Sequence, residues 1–356
     1  MAVLSEEQTM LRDMAREWTS NESPVGAWRK VRDADEAAGY DPSVYGEMAG
    51  MGWTGIIIPE AYGGSDFGWL SLGLVIEETA KTLTASPLAA SAVAASAIIL
   101  GGSEAQKARF LPRIASGELV ATLAVDEGPR HDPAAIAARV EGGRLSGVKA
   151  FVAEGDTAGL FVVAAVDGLY LVEEGEGVAR SRRHLADFRS HAEVRFTGAA
   201  AEKLTEGGDG LLDAALDRAA ILASAEMLGM AGQAFETTLA YLKQRVQFGQ
   251  VLATFQALQH RMAGLYGDIE VMRSAVEAGL QALDGGGDTR QAASLAKAKA
   301  NEVGNLMSRE LIQLHGGIGM TDEYDAGFYL KRMRVLEQMW GTAAWHRDRF
   351  ARLGGY

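Results

Sequence analysis

The apolar positions in the first third of the chain recur at helical spacing. Leu11, Met14, Ala15 and Trp18 fall three and four apart behind Ser5-Glu6-Glu7, which predicts a capped, one-sided helix. The run 51–60 (MGWTGIIIPE) breaks that period, and Tyr62-Gly63-Gly64 predicts a tight loop. Helical spacing resumes over 70–82 and 88–100. Ser103 is placed to cap a helix over 104–111, with Pro112 near its end. From 119 the period shortens to two. The runs 120–125, 144–152, 160–165 and 169–172 are short and rich in β-branched residues, and 192–196 alternates. This block, to about 205, predicts an antiparallel sheet or small barrel.

From 211 the helical pattern returns and holds to the end. The spacing predicts helices over 211–244, 255–283, 289–315 and 324–336, then a last one from Thr342, with short links as in a four-helix bundle. Asp284 to Asp288, with three glycines between the acids, reads as a linker. The expected class is α+β: an N-terminal all-α domain (1–118), a middle antiparallel β-barrel domain (119–205) and a C-terminal helical bundle (206–356).

Composition narrows the function more than the fold. Apolar residues make up 48% and charged residues 23%, an ordinary globular balance, and 356 residues call for more than one domain. Lys and Arg number 34 against 47 Asp and Glu, and the net charge of −13 repels a phosphate backbone, so no nucleic acid is expected as a partner. No cysteine is present, which removes disulfides and thiolate chemistry, and six His in no ligand spacing point to no metal. The apolar run 87–100 is shorter than the roughly 20 residues of a membrane span and predicts a buried core helix. With a polar, acidic start, the expectation is a cytoplasmic protein.

Two stretches combine helix ends, glycines and polar side chains. One is Arg245-Val246-Gln247-Phe248-Gly249-Gln250; the other is Gln313-Leu314-His315-Gly316-Gly317-Ile318-Gly319-Met320. An Arg fork can grip a pyrophosphate, and paired glycines let the backbone approach a ligand, so together they suggest a site for an anionic nucleotide cofactor. Either alone reads more simply as a helix end with a surface Arg or as a glycine-rich turn. Glu77-Glu78 reads as a solvated face, and His184, His191, His260 and His346 stand without partners in sequence. Met227, Met230, Met262, Met272, Met307 and Met339 read as bundle core.

These motifs resemble those of the acyl-CoA dehydrogenases, and the resemblance covers nearly the whole chain. The segment 52–64 (GWTGIIIPEAYGG) is similar to the family's N-terminal signature, followed by Gln106-Lys107, Leu111-Pro112 and Gly117-Glu118. Arg245 to Gln250 with Phe255-Gln256 resembles its RxxFG motif, and Gln313 to Met320 its C-terminal glycine motif. The resemblance implies an FAD-dependent enzyme that introduces an α,β double bond into an acyl-CoA thioester. It also implies that Arg245 binds the FAD pyrophosphate, that Phe248 packs beside the cofactor, and that Gln313, Gly316 and Gly317 bind its adenosine side across a subunit interface. Gln256, Thr342 and Phe151 complete the expected cofactor set.

Several positions depart from that pattern. The family's catalytic Glu precedes a Gly-Thr; here Met339-Trp340-Gly341-Thr342 puts Trp340 there, and an indole accepts no proton. In relatives that carry the base on the long helix its position corresponds to Ala219, which leaves Asp217 and Glu226 as weak candidates; both read more simply as helix-surface or capping-related acids. Arg218 reads as a helix-surface Arg. The flavin loop, usually Thr-Glu-Pro-Gly-x-Gly-Ser-Asp, is Asp126-Glu127-Gly128-Pro129-Arg130-His131-Asp132, and the usual Trp-Ile-Thr is Phe151-Val152-Ala153. By the resemblance, groups that serve a neighbour's flavin are kept, and several that would serve this chain's own flavin and base are altered. The expectation is a base-lacking subunit paired with a homologous catalytic subunit in an α2β2 assembly, similar to bacterial dehydrogenases of steroid side-chain or pimeloyl-type CoA esters. The alternatives are a self-sufficient homotetramer with a displaced base and a non-redox CoA-ester-binding homologue. An electron-transfer flavoprotein or similar carrier is the implied acceptor.

Overall fold

The computed structural model describes residues 3–356. Its N-terminal segment is helical: α1 (Glu6–Glu22), α2 (Val25–Asp33), α3 (Pro42–Gly50), α4 (Trp69–Lys81), α5 (Leu88–Gly101) and α6 (Glu104–Ala115). Ser5 and Gln8 form a capping box on α1, and Ser103 and Gln106 form one on α6. Pro112 does not end α6, which runs on to Ala115. The α5 helix is apolar on all sides and buries Leu88, Val93 and Ile98, as its composition demands.

The middle segment supplies β1 (Ala121–Ala124), β2 (Arg139–Glu141), β3 (Arg144–Ala153), β4 (Leu160–Ala165), β5 (Gly168–Glu173), β6 (Val178–Arg182), β7 (His191–Ala200) and β8 (Glu202–Lys203). They form two four-stranded sheets, β1-β4-β5-β8 and β2-β3-β7-β6, with no closed barrel among the described strands. One core lies between them: Phe161 and Val163 of β4 meet Leu145 of β3 and Val194 and Phe196 of β7. The rings of Phe161 and Phe196 stand edge to face at 5.8 Å. The pairing is antiparallel throughout except that β1 runs parallel to β4, a direction that residue patterning does not encode.

The C-terminal segment holds α7 (Leu211–Gln244), β9 (Val246–Gln247), β10 (Gln250–Val251), α8 (Gln256–Gln281), α9 (Thr289–His315), α10 (Ala326–Gln338) and α11 (Ala343–Leu353). The expected linker at 284–288 is shared between a helical turn, Ala282–Gly286, and the Asp288 cap, whose carboxylate accepts from the Arg290 and Gln291 amides. No helix among the described residues is long and apolar enough to cross a membrane.

The chain divides into two compact units. The first gathers the described residues up to Val25, Gly73–Thr84 and Ala220–Tyr356; the second holds Gly26–Leu72 and Ala85–Ala219. In the first unit Met227, Met230, Met262, Met272 and Met307 are buried, as the sequence suggested, while Met339 is only partly covered. Glu77 and Glu78 are not a solvated face. The Glu78 carboxylate is 2% exposed and accepts from Arg16 (3.1 Å) and Lys81 (2.7 Å), while Glu77 accepts from Arg273 (2.8 Å). Consecutive positions on α4 point about 100° apart, and the sequence could not show that a cation from α1 meets Glu78 and one from α8 meets Glu77.

Candidate active site and cofactor anchors

Arg245 closes α7 and opens a hairpin in which Gln247 pairs with Gln250. The two turn residues, Phe248 (φ 54°) and Gly249 (φ 79°), both lie in the left-handed region, the geometry of a type I′ turn. Asn-Gly is the usual pair there, so a bulky aromatic at the first position is an outlier. Phe248 is 89% exposed, and its ring meets Phe255 edge to face at 6.1 Å. Arg245 is exposed, and its guanidinium makes no salt bridge among the described residues, which leaves the fork free for an anion. Gln256, first residue of α8 and next to Phe255 in sequence, is exposed.

The glycine motif caps α9. Gln313 is exposed, and Gly316 turns the chain at φ 65°, ψ −139°, a backbone open to glycine alone. A Cβ at Gly316 or Gly317 would meet nothing within 4 Å, so the outer face of the turn is open to a ligand. Beneath it, His315 Nδ1–H donates to the Leu311 carbonyl (2.7 Å), so Nε2 accepts from the Tyr324 hydroxyl (2.9 Å). Burial holds the His315 pKa below its usual value, in keeping with a neutral imidazole. The Tyr241 hydroxyl donates to the His315 carbonyl (3.3 Å), while the Tyr241 carbonyl accepts from the Arg245 amide (2.9 Å). Tyr241 therefore ties the two motifs together. The motif reading missed this residue, because its link to position 315 is tertiary.

Trp340 lies in the same unit, on the turn between α10 and α11. Trp340 (φ 59°) and Gly341 (φ 104°) are both left-handed, and Thr342 caps α11 by accepting from the Trp345 amide (3.3 Å). A Cβ on Gly341 would lie 2.8 Å from His346 Nε2 and from the Trp345 ring, which fixes glycine there. Neither weak carboxylate candidate is a surface acid. Glu226 is held by Arg332, with Nε to Oε1 at 2.7 Å and Nη2 to Oε2 at 2.9 Å. Asp217 is 2% exposed; it lies in the part of α7 that belongs to the second unit. Arg218 is also no surface residue: it stacks over Trp69 at 5.5 Å, and burial lowers its pKa.

The second unit carries Phe151 and the altered loop. Between Lys149 and Val152 the register of β3 on β7 slips by one residue, and Phe151 takes φ 51° in that bulge with 42% of its surface exposed. Bulges re-aim side chains in this way, and alternation alone does not reveal them. The loop 126–138 bonds to itself. Asp126 accepts from His131 (3.0 Å) and from the Asp132 amide (3.3 Å). Glu127 accepts from the Ala137 and Ala138 amides (both 2.9 Å) and from Lys149 Nζ (2.7 Å). Hydrogen bonding holds Glu127 below the usual carboxylate pKa against its burial, whereas burial pushes Lys149 down.

Comparison with known proteins places the chain. The model of the acyl-CoA dehydrogenase N-terminal domain matches residues 5–118, and that of the C-terminal domain matches 207–354. The chain belongs to the acyl-CoA dehydrogenase family, oxidoreductases acting on CH–CH bonds with FAD as cofactor. It is 29% identical to acyl-CoA dehydrogenase IpdE2 of Mycolicibacterium smegmatis, over 95% of this chain and 96% of that one. It is 30% identical to IpdE2 of Mycobacterium tuberculosis, over 94% and 93%. Among solved structures it is similar to the Tcur3481-Tcur3483 steroid ACAD G363A variant, with a TM-score of 0.92 and 32% identity over 98% of each chain.

The residues of this chain fit FAD in one place and not in another. The free Arg245 fork and the open Gly316–Gly317 backbone suit a diphosphate and its adenosine. The loop 126–132 lacks the Gly-x-Gly-Ser run, and its carboxylates are engaged within the loop and by Lys149, so it offers no comparable phosphate cradle.

Proposed function

We propose that this chain is the base-lacking subunit of a heteromeric acyl-CoA dehydrogenase, and that it completes the FAD site of a homologous catalytic subunit. The Trp340 turn carries the reading. The position that holds the family's base bears an indole, Glu226 is consumed by Arg332, and Asp217 is buried in its helix. Proton removal next to a thioester needs a carboxylate within hydrogen-bond reach. Arg245, Gln313, Gly316 and Gly317, by contrast, are exposed and offer a guanidinium, a side-chain amide and open backbone to an anion. Arg245 would grip the pyrophosphate, Phe248 would flank the cofactor, and Gln313 with the Gly316 and Gly317 amides would receive the adenosine side. FAD, when bound, supplies acceptance of the hydride removed from the acyl chain.

The similarity to the Tcur3481-Tcur3483 steroid ACAD supports a steroid-type acyl-CoA as substrate and assembly with a second, catalytic chain; the α2β2 stoichiometry and a flavoprotein electron acceptor follow from the family resemblance alone. The division into 1–118, 119–205 and 206–356 then assigns the contributed anchors to the last segment. Expression alone and with the homologous partner tests the reading through flavin absorbance and acyl-CoA oxidation. A colourless, inactive chain that yields a yellow, active complex is the expected result. Stoichiometric flavin and turnover in the isolated chain would establish a self-sufficient enzyme instead. No flavin in either preparation would establish a non-redox homologue.

A further inference from the structure

The turn at Trp340 is held from two sides by side chains that the reaction does not use. Lys297 of α9 is fully buried, and its ammonium donates to Asn301 Oδ1 (2.7 Å), to the Leu336 carbonyl (2.8 Å) and to the Gly341 carbonyl (3.3 Å). Asn301, one helical turn on, donates to the same Gly341 oxygen (3.2 Å) and to the Glu337 carbonyl (3.4 Å). From α11, His346 Nε2–H donates to the Trp340 carbonyl (2.8 Å), and the ring is 1% exposed.

These contacts answer two needs. Leu336 and Glu337 end α10, where carbonyls lack helical partners, and a cation there also meets the negative end of the helix dipole. The remaining bonds fall on the two carbonyls of a left-handed pair, Trp340 and Gly341, and a bulky residue adopts that conformation only where the surroundings impose it. An indole gains nothing from the left-handed region by itself. Lys297, Asn301 and His346 hold this conformation through its backbone carbonyls, not through the indole.

We propose that Lys297, Asn301 and His346 are positioning residues for position 340, fixing the backbone of the turn whatever side chain the position carries. In this chain they set the place of the Trp340 indole; in a chain with a carboxylate there, the same clamp would set the place of the base. The inference holds whether or not the chain acts as the subunit described above, because it concerns backbone order alone.

Hydrogen exchange of the full-length chain, read over 339–346, tests it. Amides of Met339, Trp345 and His346 in this segment are hydrogen-bonded and report its opening. Lys297→Met, Asn301→Ala and His346→Leu should each speed exchange there by about tenfold, the effect of one lost buried hydrogen bond. His346→Gln, which keeps an N–H donor, should restore protection, and Trp340→Ala should leave it intact. The proposal is overturned if Trp340→Ala loosens the segment as much as the clamp variants, or if His346→Leu and Asn301→Ala leave it unchanged. Should Lys297→Met fail to fold, those other two variants decide the matter.

Discussion

Arg332 of α10 grips both carboxylate oxygens of Glu226 on α7, at 2.7 and 2.9 Å, with each side chain about 15% exposed or less. A carboxylate so engaged serves as a link between helices, not as a base. Removing one partner strands a largely desolvated charge, so Glu226→Ala should cost about 2–4 kcal/mol. Replacing both with Leu should cost less than either single change. Urea denaturation of the two singles and the double variant measures this, and a double variant worse than both singles would contradict it.

Phe248 predicts an opposition between stability and function. Its left-handed backbone places an aromatic where a type I′ turn favours Asn, and its ring is almost fully in solvent. Phe248→Asn should stabilise the isolated chain by about 1 kcal/mol by relieving that strain. In the complex the same variant should release flavin faster, since the aromatic no longer flanks the cofactor. Unchanged flavin retention would remove Phe248 from the cofactor site.

The sequence made the long helices legible because their pattern is continuous: 211–244 and 289–315 coincide with α7 and α9. It concealed β2, β6 and β8, which are two to five residues long and carry exposed charges such as Arg139 and Glu202. Arg245 and Gln313 could be found because each motif is contiguous in sequence. Lys297 and His346 could not, because Lys297 meets Gly341 at a separation of 44 residues and a lone His has no pattern. The bulge at Phe151 was hidden for a related reason: it is a property of two strands in register, not of one.

Trp340→Glu returns a carboxylate to the clamped turn, yet the loop 126–132 remains without its phosphate-binding glycines. Acyl-CoA oxidation by this variant alone should therefore stay at background. Rebuilding the loop with a Gly-x-Gly-Ser run should first restore flavin retention. Trp340→Glu in that background should then raise oxidation by about 10²–10⁴-fold over the loop variant, the usual worth of a general base. Turnover from Trp340→Glu in the native loop would show that this chain's own flavin cradle is intact.

Lys297 gives the stability a pH dependence whose sign follows from its burial. Burial pushes its pKa from 10.5 down to about 7, against a smaller opposing pull from Glu337 on α10. The unfolded chain therefore binds more protons than the folded one between about pH 7 and 10.5. Stability contributed at this position rises with pH across that window and is lowest below it. A neutral amine has two N–H donors for its three acceptors, so the longest contact, to the Gly341 carbonyl, is the one that weakens as the proton leaves. Urea unfolding of the native chain and of Lys297→Met from pH 6 to 10 separates this from every other titration. The native chain should gain stability relative to the variant as pH rises. A constant difference between the two across the range would mean that Lys297 keeps its charge state on folding.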